Sequence, residues 1–178
     1  MGGREKSVGL TKTDSKKYGL LCGRFQPLHL GHIGLIQLAL KKCDVLYIGI
    51  GSAQDHLIGD EKNPYSYKTR SSMISECFNN EIISGKLVYF PVIDINDPPN
   101  WVSHVIKSSG IVTDNLTYFA GSNYDAYLFQ EAGIDVCLLD RSNTPYKSGT
   151  DLRHMIKQSN PEWQNYTSYK IWDIIRNS

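Results

Sequence analysis

The feature that most constrains the fold is a short apolar run, a Gly/Pro turn and a second apolar segment, which follow one another near the start of the chain. Residues 18–22 predict a buried strand, and the apolar positions of 33–40 recur at helical spacing. The glycines and proline between them predict a tight turn. A strand that turns directly into a helix presents the free backbone N–H groups of the helix start to one point in space. The sequence therefore predicts an anion-binding turn.

The rest of the chain repeats this alternation of apolar runs and helical segments. Runs that are apolar at nearly every position are typical of parallel strands covered on both faces. We therefore expect an α/β fold, a Rossmann-like doubly wound sheet of about five parallel strands with helices on both faces, in a single domain. Further strands are expected at 44–50, 87–93, 116–120 and 134–139, and helices after Ser66, from Trp101, over 126–132, after Ser148 and from Asn160.

The chain boundaries and composition narrow the class of protein. Residues 1–17 are polar and without periodicity, so we predict a flexible leader followed by one domain over 18–178. The 19 basic and 18 acidic residues nearly cancel, which argues against a nucleic-acid partner. No apolar run reaches membrane-spanning length, so no membrane partner is expected. The four cysteines form no C-x-x-C pair and favour reduced thiols, so we expect a cytoplasmic protein.

Two histidines in the first turn are the leading candidates for chemistry. His29 and His32 are three residues apart at the start of the predicted helix, where both rings could donate hydrogen bonds to a phosphate. Arg24 adds a fixed positive charge beside them, so a nucleotide triphosphate site is one interpretation. Half of a zinc site is the other. The remaining histidines (His56, His104 and His154) are scattered without cysteines at finger spacing, so we expect no protein-bound metal.

Polar and small residues also follow the other predicted strands. Gly51 and Ser52 follow the second strand, Asn96 the third, and Gly121 the fourth. Gln54 stands where a dinucleotide-binding Gly-x-Gly-x-x-Gly fingerprint needs its third glycine, so that fingerprint fails. Ligands of doubly wound sheets lie at the carboxyl ends of the strands. We therefore expect these residues to converge on one ligand, with the small side chains allowing its close approach.

Two predicted helix starts carry an arginine in their first turns. Ser148 and Thr150 precede a helix in which Arg153 would face an anion at the N-terminus. Arg70 follows Ser66 in the same way. An ordinary cap with a solvated arginine is the alternative at both positions.

Three blocks of sequence together resemble a known family. Residues 23–32, Gly-Arg-Phe-Gln-Pro-Leu-His-Leu-Gly-His, closely resemble the signature of the HxGH nucleotidyltransferase superfamily, in the form found in archaeal-type nicotinamide mononucleotide (NMN) adenylyltransferases. Residues 148–153, Ser-Gly-Thr-Asp-Leu-Arg, resemble its second hallmark. The block at 63–74 resembles a third, although Thr69 replaces the usual acidic residue before Arg70.

The resemblance implies a reaction and a way to catalyse it. ATP and NMN would give NAD and pyrophosphate, by in-line attack of the NMN phosphate on the α-phosphorus, as a step of NAD biosynthesis. The nucleophile is already an anion, so catalysis would come from positioning and charge stabilisation. Magnesium would arrive with ATP. The resemblance also implies a homo-oligomer.

The resemblance further implies residue roles. Trp101 would stack on the nicotinamide ring and Asn96 would bind its carboxamide, and Arg70 and Arg153 would hold the leaving pyrophosphate. The catalytic residues would be His29, His32, Arg153 and Arg24. The ATP-binding residues would be Gly23, Arg24, Phe25, Gln26, His29, His32, Arg70, Gly121, Ser148, Thr150 and Arg153, and the NMN-binding residues Gly51, Ser52, Asn96 and Trp101.

Two other functions remain open from the sequence. Other members of the superfamily couple nucleotides to pantetheine phosphate, flavin or polyol phosphates. A nucleotide-sensing module without turnover is an alternative from a different class of protein.

Overall fold

One five-stranded parallel sheet forms the centre of the computed structural model, which describes residues 16–55, 58–112, 115–139 and 147–178. The strand order is β3-β2-β1-β4-β5, and every neighbouring pair is parallel. The predicted Rossmann-like sheet is therefore confirmed. The strands are β1 (Tyr18–Gly23), β2 (Val45–Ile50), β3 (Leu87–Pro91), β4 (Leu116–Ala120) and β5 (Asp135–Leu138).

Helices cover both faces of this sheet. One apolar core lies under α1, α2, α5 and α6, and a second lies under α3 and α4. Successive residues of β1 point to opposite cores, Leu20 to the second and Leu21 to the first, as the period of a strand requires. The doubly wound arrangement is therefore confirmed as well. The helices are α1 (Leu30–Leu40), α2 (Tyr67–Ile83), α3 (Trp101–Ser109), α4 (Asn123–Glu131), α5 (Gly149–Lys157) and α6 (Trp172–Arg176).

The strand order fixes where a ligand can bind. From β1 the chain builds outward through β2 to β3, and then returns to the other side of β1 to add β4 and β5. The direction of winding therefore reverses between β1 and β4. In such sheets ligands bind at the carboxyl ends of the strands beside this reversal. We call this side of the sheet the carboxyl edge.

The end of the predicted leader is the one boundary at the N-terminal side where the described residues differ from the sequence-based expectation. Lys16 and Lys17 were predicted to belong to the leader, yet both are hydrogen-bonded to the sheet region. The Lys17 amide donates to Asp44 Oδ2 at 2.7 Å, and Asn115 Nδ2 donates to the Lys16 carbonyl at 2.7 Å. The remainder of the predicted leader, residues 1–15, lies outside the described residues.

The single final helix that was predicted from Asn160 is wrong. Two short 3₁₀ segments (Pro161–Tyr166 and Tyr169–Ile171) precede α6, and Thr167 between them has an extended backbone, with φ −129° and ψ 159°. The Thr167 hydroxyl accepts a hydrogen bond from Trp172 Nε1 at 3.1 Å, which stabilises the break. No helix within the described residues is long and apolar enough to cross a membrane.

Candidate active site

The turn between β1 and α1 brings His29 and His32 together. His29 is the N-cap of α1 and has an extended backbone, and its Nδ1 accepts a hydrogen bond from the His32 amide at 3.3 Å. The two imidazole rings are stacked, with centroids 3.6 Å apart, and the Phe25 ring meets His32 edge-on at 4.9 Å. The two rings therefore form one unit at the positive end of the α1 dipole, which is a favourable place for an anion.

The backbone is strained at the ends of three neighbouring strands. Phe25 (φ 53°), Ser52 (φ 49°) and Asn96 (φ 33°) adopt left-handed conformations after β1, β2 and β3, respectively. Such conformations cost about 1–3 kcal/mol each in residues other than glycine, and they cluster at functional sites. Gly23 is required beside the first of them, because a Cβ there would lie 2.9 Å from Cζ of the buried Phe25 ring. Three of the strained backbone conformations therefore lie together at the carboxyl edge.

The start of α5 joins the same turn. Ser148 caps α5 in a capping box with Asp151, so its N-terminus is well defined. Arg153 Nη1 donates to the Gln26 carbonyl at 2.9 Å, and its Nη2 donates to Thr150 Oγ1 at 3.1 Å. Two blocks that are far apart in sequence therefore meet at one place, as the sequence predicts for Arg153, Ser148 and Thr150.

Close packing and positive charge distinguish this junction between α5 and the β1–α1 turn. A Cβ on Gly149 would lie only 3.2 Å from the Gln26 carbonyl oxygen, so a glycine allows α5 to approach the turn. Burial lowers the pKa of the half-buried Arg153, and the neighbouring charge of Arg24 lowers it further. The Arg24 side chain is exposed. A polyanion between the two guanidinium groups would offset their repulsion.

Gln26 and Phe25 do not present their side chains as the sequence suggested. The Gln26 side chain is 3% exposed, and Phe25 is fully buried. Gln26 Nε2 donates to the Tyr65 carbonyl at 2.8 Å, and Gln26 Oε1 accepts from the Tyr65 amide at 3.0 Å. The Gln26 side-chain amide therefore joins the β1–α1 turn to the segment before α2, and only the backbone of Gln26 is left to contact ATP.

We expect Gln26→Leu to lower the free energy of unfolding by about 1–3 kcal/mol, because two buried backbone groups of Tyr65 lose their partner. Urea denaturation of the purified variant would measure this. Gln37→Leu is the matched control, since Gln37 is exposed on α1. Equal stability of the Gln26 variant and the wild type would contradict the assignment.

Arg70 also differs from its expected role. Its side chain is 1% exposed, and burial lowers the pKa of the guanidinium to about 10. Nη1 donates to the carbonyls of Arg24 at 2.7 Å and Gly51 at 2.6 Å, and Nη2 donates to the carbonyl of Ser52 at 2.9 Å. Nε donates to the Ser66 carbonyl at 3.3 Å. These contacts with the backbone do not fit the expected role of holding pyrophosphate oxygens.

The two glycines near the end of β2, Gly49 inside the strand and Gly51 directly after it, have different roles. A Cβ on Gly49 would lie 2.9 Å from Cys22 Sγ, so this glycine is required by packing within the sheet. A Cβ on Gly51 would make only ordinary contacts, at 3.8 Å or more, so packing alone does not require glycine there. The next residue, Ser52, is buried, and its amide donates to Asp94 Oδ1 at 3.3 Å. Sequence reasoning gave Asp94 no role, although it lies two residues before Asn96 in the same loop.

Asn96 and Trp101 line one cavity of about 260 Å³ beside the carboxyl edge. Trp101 is half-buried at the start of α3, where its indole lies 6.0 Å from the His104 ring. The structure thus brings together the two residues that the sequence singled out for the acceptor. Sequence reasoning missed two further lining residues, Tyr124 and Asp125, which face the same cavity from the first turn of α4. Their position shortly after Gly121, at the carboxyl end of β4, was the sequence signal that could have identified them.

Gly121, the last residue that the sequence predicts for the ATP site, lies at the end of β4. Gly121 is half-buried and follows β4 directly, and Ser122 caps α4 by accepting a hydrogen bond from the Asp125 amide at 3.2 Å. This turn lies across the winding reversal from the β1–α1 turn. A further cavity of about 510 Å³ has Thr150 and Arg153 in its wall, which is within the size range of small-molecule sites.

The described residues contain no group of three or more His, Cys, Asp or Glu side chains that could hold a metal ion. His104 lies on α3, where Nε2 is 3.0 Å from the Ile93 carbonyl oxygen, and His154 lies on α5. His56 lies outside the described residues. The alternative of a zinc site therefore gains no support from this part of the chain.

Comparison with known proteins places this fold and site in a family. The cytidylyltransferase-like family matches residues 20–155. The chain belongs to this cytidylyltransferase-like family. Among its relatives there, it is similar to archaeal proteins named nicotinamide-nucleotide adenylyltransferase. The Thermococcus kodakarensis protein is 31% identical over 162 residues, which cover 90% of this chain and 82% of that protein. The Picrophilus torridus protein is 35% identical over 144 residues, which cover 79% and 80%, respectively.

Solved structures share the fold. A bifunctional NMN adenylyltransferase/ADP ribose pyrophosphatase from Francisella tularensis, complexed with AMP and a manganese ion, matches with a TM-score of 0.69 at 22% identity. A NadR protein in complex with NAD and AMP-PNP matches with a TM-score of 0.63 at 18% identity. These matches cover 92% and 88% of this chain but only 49% and 46% of those proteins. The chain thus spans about half the length of these structures.

Proposed function

We propose that this protein is a nicotinamide-nucleotide adenylyltransferase, which converts ATP and NMN into NAD and pyrophosphate in NAD biosynthesis. One observation carries the proposal: the stacked His29–His32 pair and the Arg153 guanidinium meet at the same turn of the chain. The similarity to archaeal relatives of that name supports the choice of reaction. The names and ligands of the structural neighbours agree with a nucleotide substrate.

The geometry suits adenylyl transfer without a general base. An oxygen of the NMN phosphate, already an anion, forms a bond to the α-phosphorus of ATP as the bond to the bridging β-phosphate oxygen breaks. The His29 and His32 rings and the free amides of α1 stabilise the charge that develops on the α-phosphate. Arg24 and Arg153 bind the phosphates and the departing pyrophosphate. The protein contributes positioning and preorganised positive charge, which is the main requirement of phosphoryl-type transfer.

The cavity beside α3 suits the nicotinamide end of NMN. A flat pyridinium can stack on the half-buried Trp101 indole, where the negative face of the ring attracts a cation. The Asn96 side-chain amide can both donate to and accept from a carboxamide. Asp125 faces the same cavity, and its carboxylate favours a positively charged ring over a neutral one.

Magnesium is part of the substrate in this proposal, since it neutralises the ATP phosphates and arrives bound to them. We expect excess EDTA to stop turnover completely and added Mg²⁺ to restore it. The melting temperature of the protein without ATP should not change when EDTA is added, which a fluorescence thermal shift would show. A large loss of thermal stability in EDTA would instead indicate a resident metal ion.

The function is tested by pyrophosphate release from Mg-ATP with five acceptors: NMN, nicotinate mononucleotide, flavin mononucleotide, pantetheine phosphate and glycerol phosphate. Turnover with NMN, together with NAD formation, is the expected result. Turnover only with another acceptor would overturn the assignments of Trp101 and Asn96. ATP binding without any turnover would favour a nucleotide-sensing module.

We propose the cytoplasm as the location of this reaction. All four cysteines (Cys22, Cys43, Cys77 and Cys137) are free thiols, and burial raises the pKa of Cys22 to about 12 and that of Cys43 to about 11. Unreactive, reduced thiols are typical of a reducing compartment.

A further inference from the structure

We propose that Arg70 is a positioning residue: its guanidinium fixes the ends of β1 and β2 relative to one another and so aligns the two substrates. The kinetic consequence rests on the proposed function, whereas the structural role does not. The assignment replaces the phosphate contact that the sequence suggested for this arginine.

The hydrogen bonds of Arg70 connect two loops and a helix. Nη1 bridges the carbonyls of Arg24, directly after β1, and Gly51, directly after β2, at 2.7 and 2.6 Å. Nη2 adds the Ser52 carbonyl at 2.9 Å, and Nε adds the Ser66 carbonyl at the start of α2 at 3.3 Å. A planar, forked donor group is suited to hold several acceptors at fixed angles, which an ammonium group cannot do.

The backbone held in this way is the strained part of the carboxyl edge. Ser52 is left-handed, and its carbonyl is fixed by Arg70 while its amide is fixed by Asp94 Oδ1. Phe25 is also left-handed, and it directly follows the carbonyl of Arg24 that Arg70 holds. Conformations of this kind persist only where the surroundings over-determine them. Arg70 supplies that restraint on both loops at once.

Burial separates this role from direct binding of a phosphate. Arg70 is 1% exposed, so a substrate oxygen cannot reach its guanidinium without opening the loops. Among the described residues Arg70 forms no ion pair with a carboxylate, and backbone carbonyls are its partners. Asp94 is near enough to favour the Arg70 charge electrostatically, but the direct partners of the guanidinium are backbone carbonyls. A buried charge is costly unless its hydrogen bonds are made. The loop carbonyls therefore stay bonded to the buried guanidinium, which restrains both loops.

In the proposed function, the two loops that Arg70 holds bind different substrates. Arg24 carries the charge beside the triphosphate, and Gly51 and Ser52 lie on the side assigned to the acceptor. In-line transfer requires the attacking oxygen and the α-phosphorus to be aligned, and a misplacement of about 1 Å can cost ~10²-fold in rate. We therefore expect Arg70→Met to lower kcat by ~10²-fold while the KM values for ATP and NMN change by a much smaller factor.

The experiment compares three variants: Arg70→Met, Arg70→Lys and Met73→Ala. Met73 is fully buried on α2 and contacts the apolar core, so its truncation destabilises the protein without removing a hydrogen bond from the loops. Steady-state kinetics and melting temperature are measured for each, together with hydrogen–deuterium exchange over residues 24–26 and 51–53. Arg70→Lys keeps the charge but not the fork and provides a milder variant if Arg70→Met does not fold.

The expected result is faster exchange in both loops and a lower kcat for the Arg70 variants, with neither change in Met73→Ala at a similar loss of melting temperature. An equal loss of kcat in Met73→Ala would show that Arg70 only stabilises the fold. A raised KM for ATP at unchanged kcat in the Arg70 variants would instead show that Arg70 contacts a phosphate. Unchanged exchange would exclude the structural role, even if the wild type used an acceptor other than NMN or showed no turnover.

Discussion

Replacing His32 by alanine is expected to lower kcat by about 10²–10³-fold, as does removal of one donor from an oxyanion hole. His32 lies in the first turn of α1, where its ring is held between the stacked His29 ring and the edge of Phe25. This packing fixes the imidazole before substrate arrives. A donor that is already in place needs no reorganisation as charge develops on the α-phosphate, and its loss therefore appears in kcat.

Pyrophosphate release under saturating Mg-ATP and NMN measures the effect. Gln37→Ala is the matched control, because Gln37 is exposed on the same helix and its replacement should leave kcat near the wild-type value. His32→Gln retains an uncharged donor and should lose less than the alanine variant. Near-full turnover of His32→Ala in a folded protein would remove this residue from the reaction.

Arg153→Ala is the second substitution with a large expected effect, a loss of about 10²–10³-fold in kcat/KM for ATP. Arg153 is held by the Gln26 carbonyl and by Thr150, which direct its charge to the β1–α1 turn. Arg153→Lys should recover little, because an ammonium group cannot satisfy both partners and contact a phosphate in the same geometry.

The control for Arg153 is Arg176→Ala. Arg176 is exposed on α6, where it pairs with Asp173, three residues earlier, and lies over the Trp172 ring at 5.8 Å. Its loss should change neither ATP binding, measured by isothermal titration calorimetry, nor turnover. If Arg153→Ala bound ATP and turned over as Arg176→Ala does, the anion site would have to lie elsewhere.

Much of the fold could be predicted because local patterns and global topology agree. The near-continuous apolar runs place each of the five strands within two residues of its observed limits, and the caps at Ser66 and Ser148 mark the starts of α2 and α5. Pro91 ends β3, which is an edge strand of the sheet, where a residue without an N–H group is tolerated. The sequence alone could not show the break at Thr167, since it depends on a contact with Trp172 that exists only after the chain has turned.

The site was predictable where a whole block of sequence, and not a single residue type, resembles a known family. The histidines and Arg153 each have an ordinary alternative, a zinc half-site or a solvated side chain, but they stand in two such blocks, and the structure brings the two blocks together. A guanidinium or a side-chain amide can equally bind a ligand or a backbone group. Burial decides between these two roles for Arg70 and Gln26, which are 99% and 97% buried. That burial arises from the packing of loops that are distant in sequence.

The hydrogen bond from Arg153 to the Gln26 carbonyl joins residues that are 127 positions apart. Closing so long a loop costs conformational entropy that only the finished sheet can offset, so this contact depends on the packing of elements from both halves of the chain. A nascent chain that has not yet formed α5 has the histidine pair but lacks Arg153 beside it. In the proposed mechanism, adenylyl transfer therefore requires the complete fold, and we expect no turnover of ATP by a chain that ends before α5.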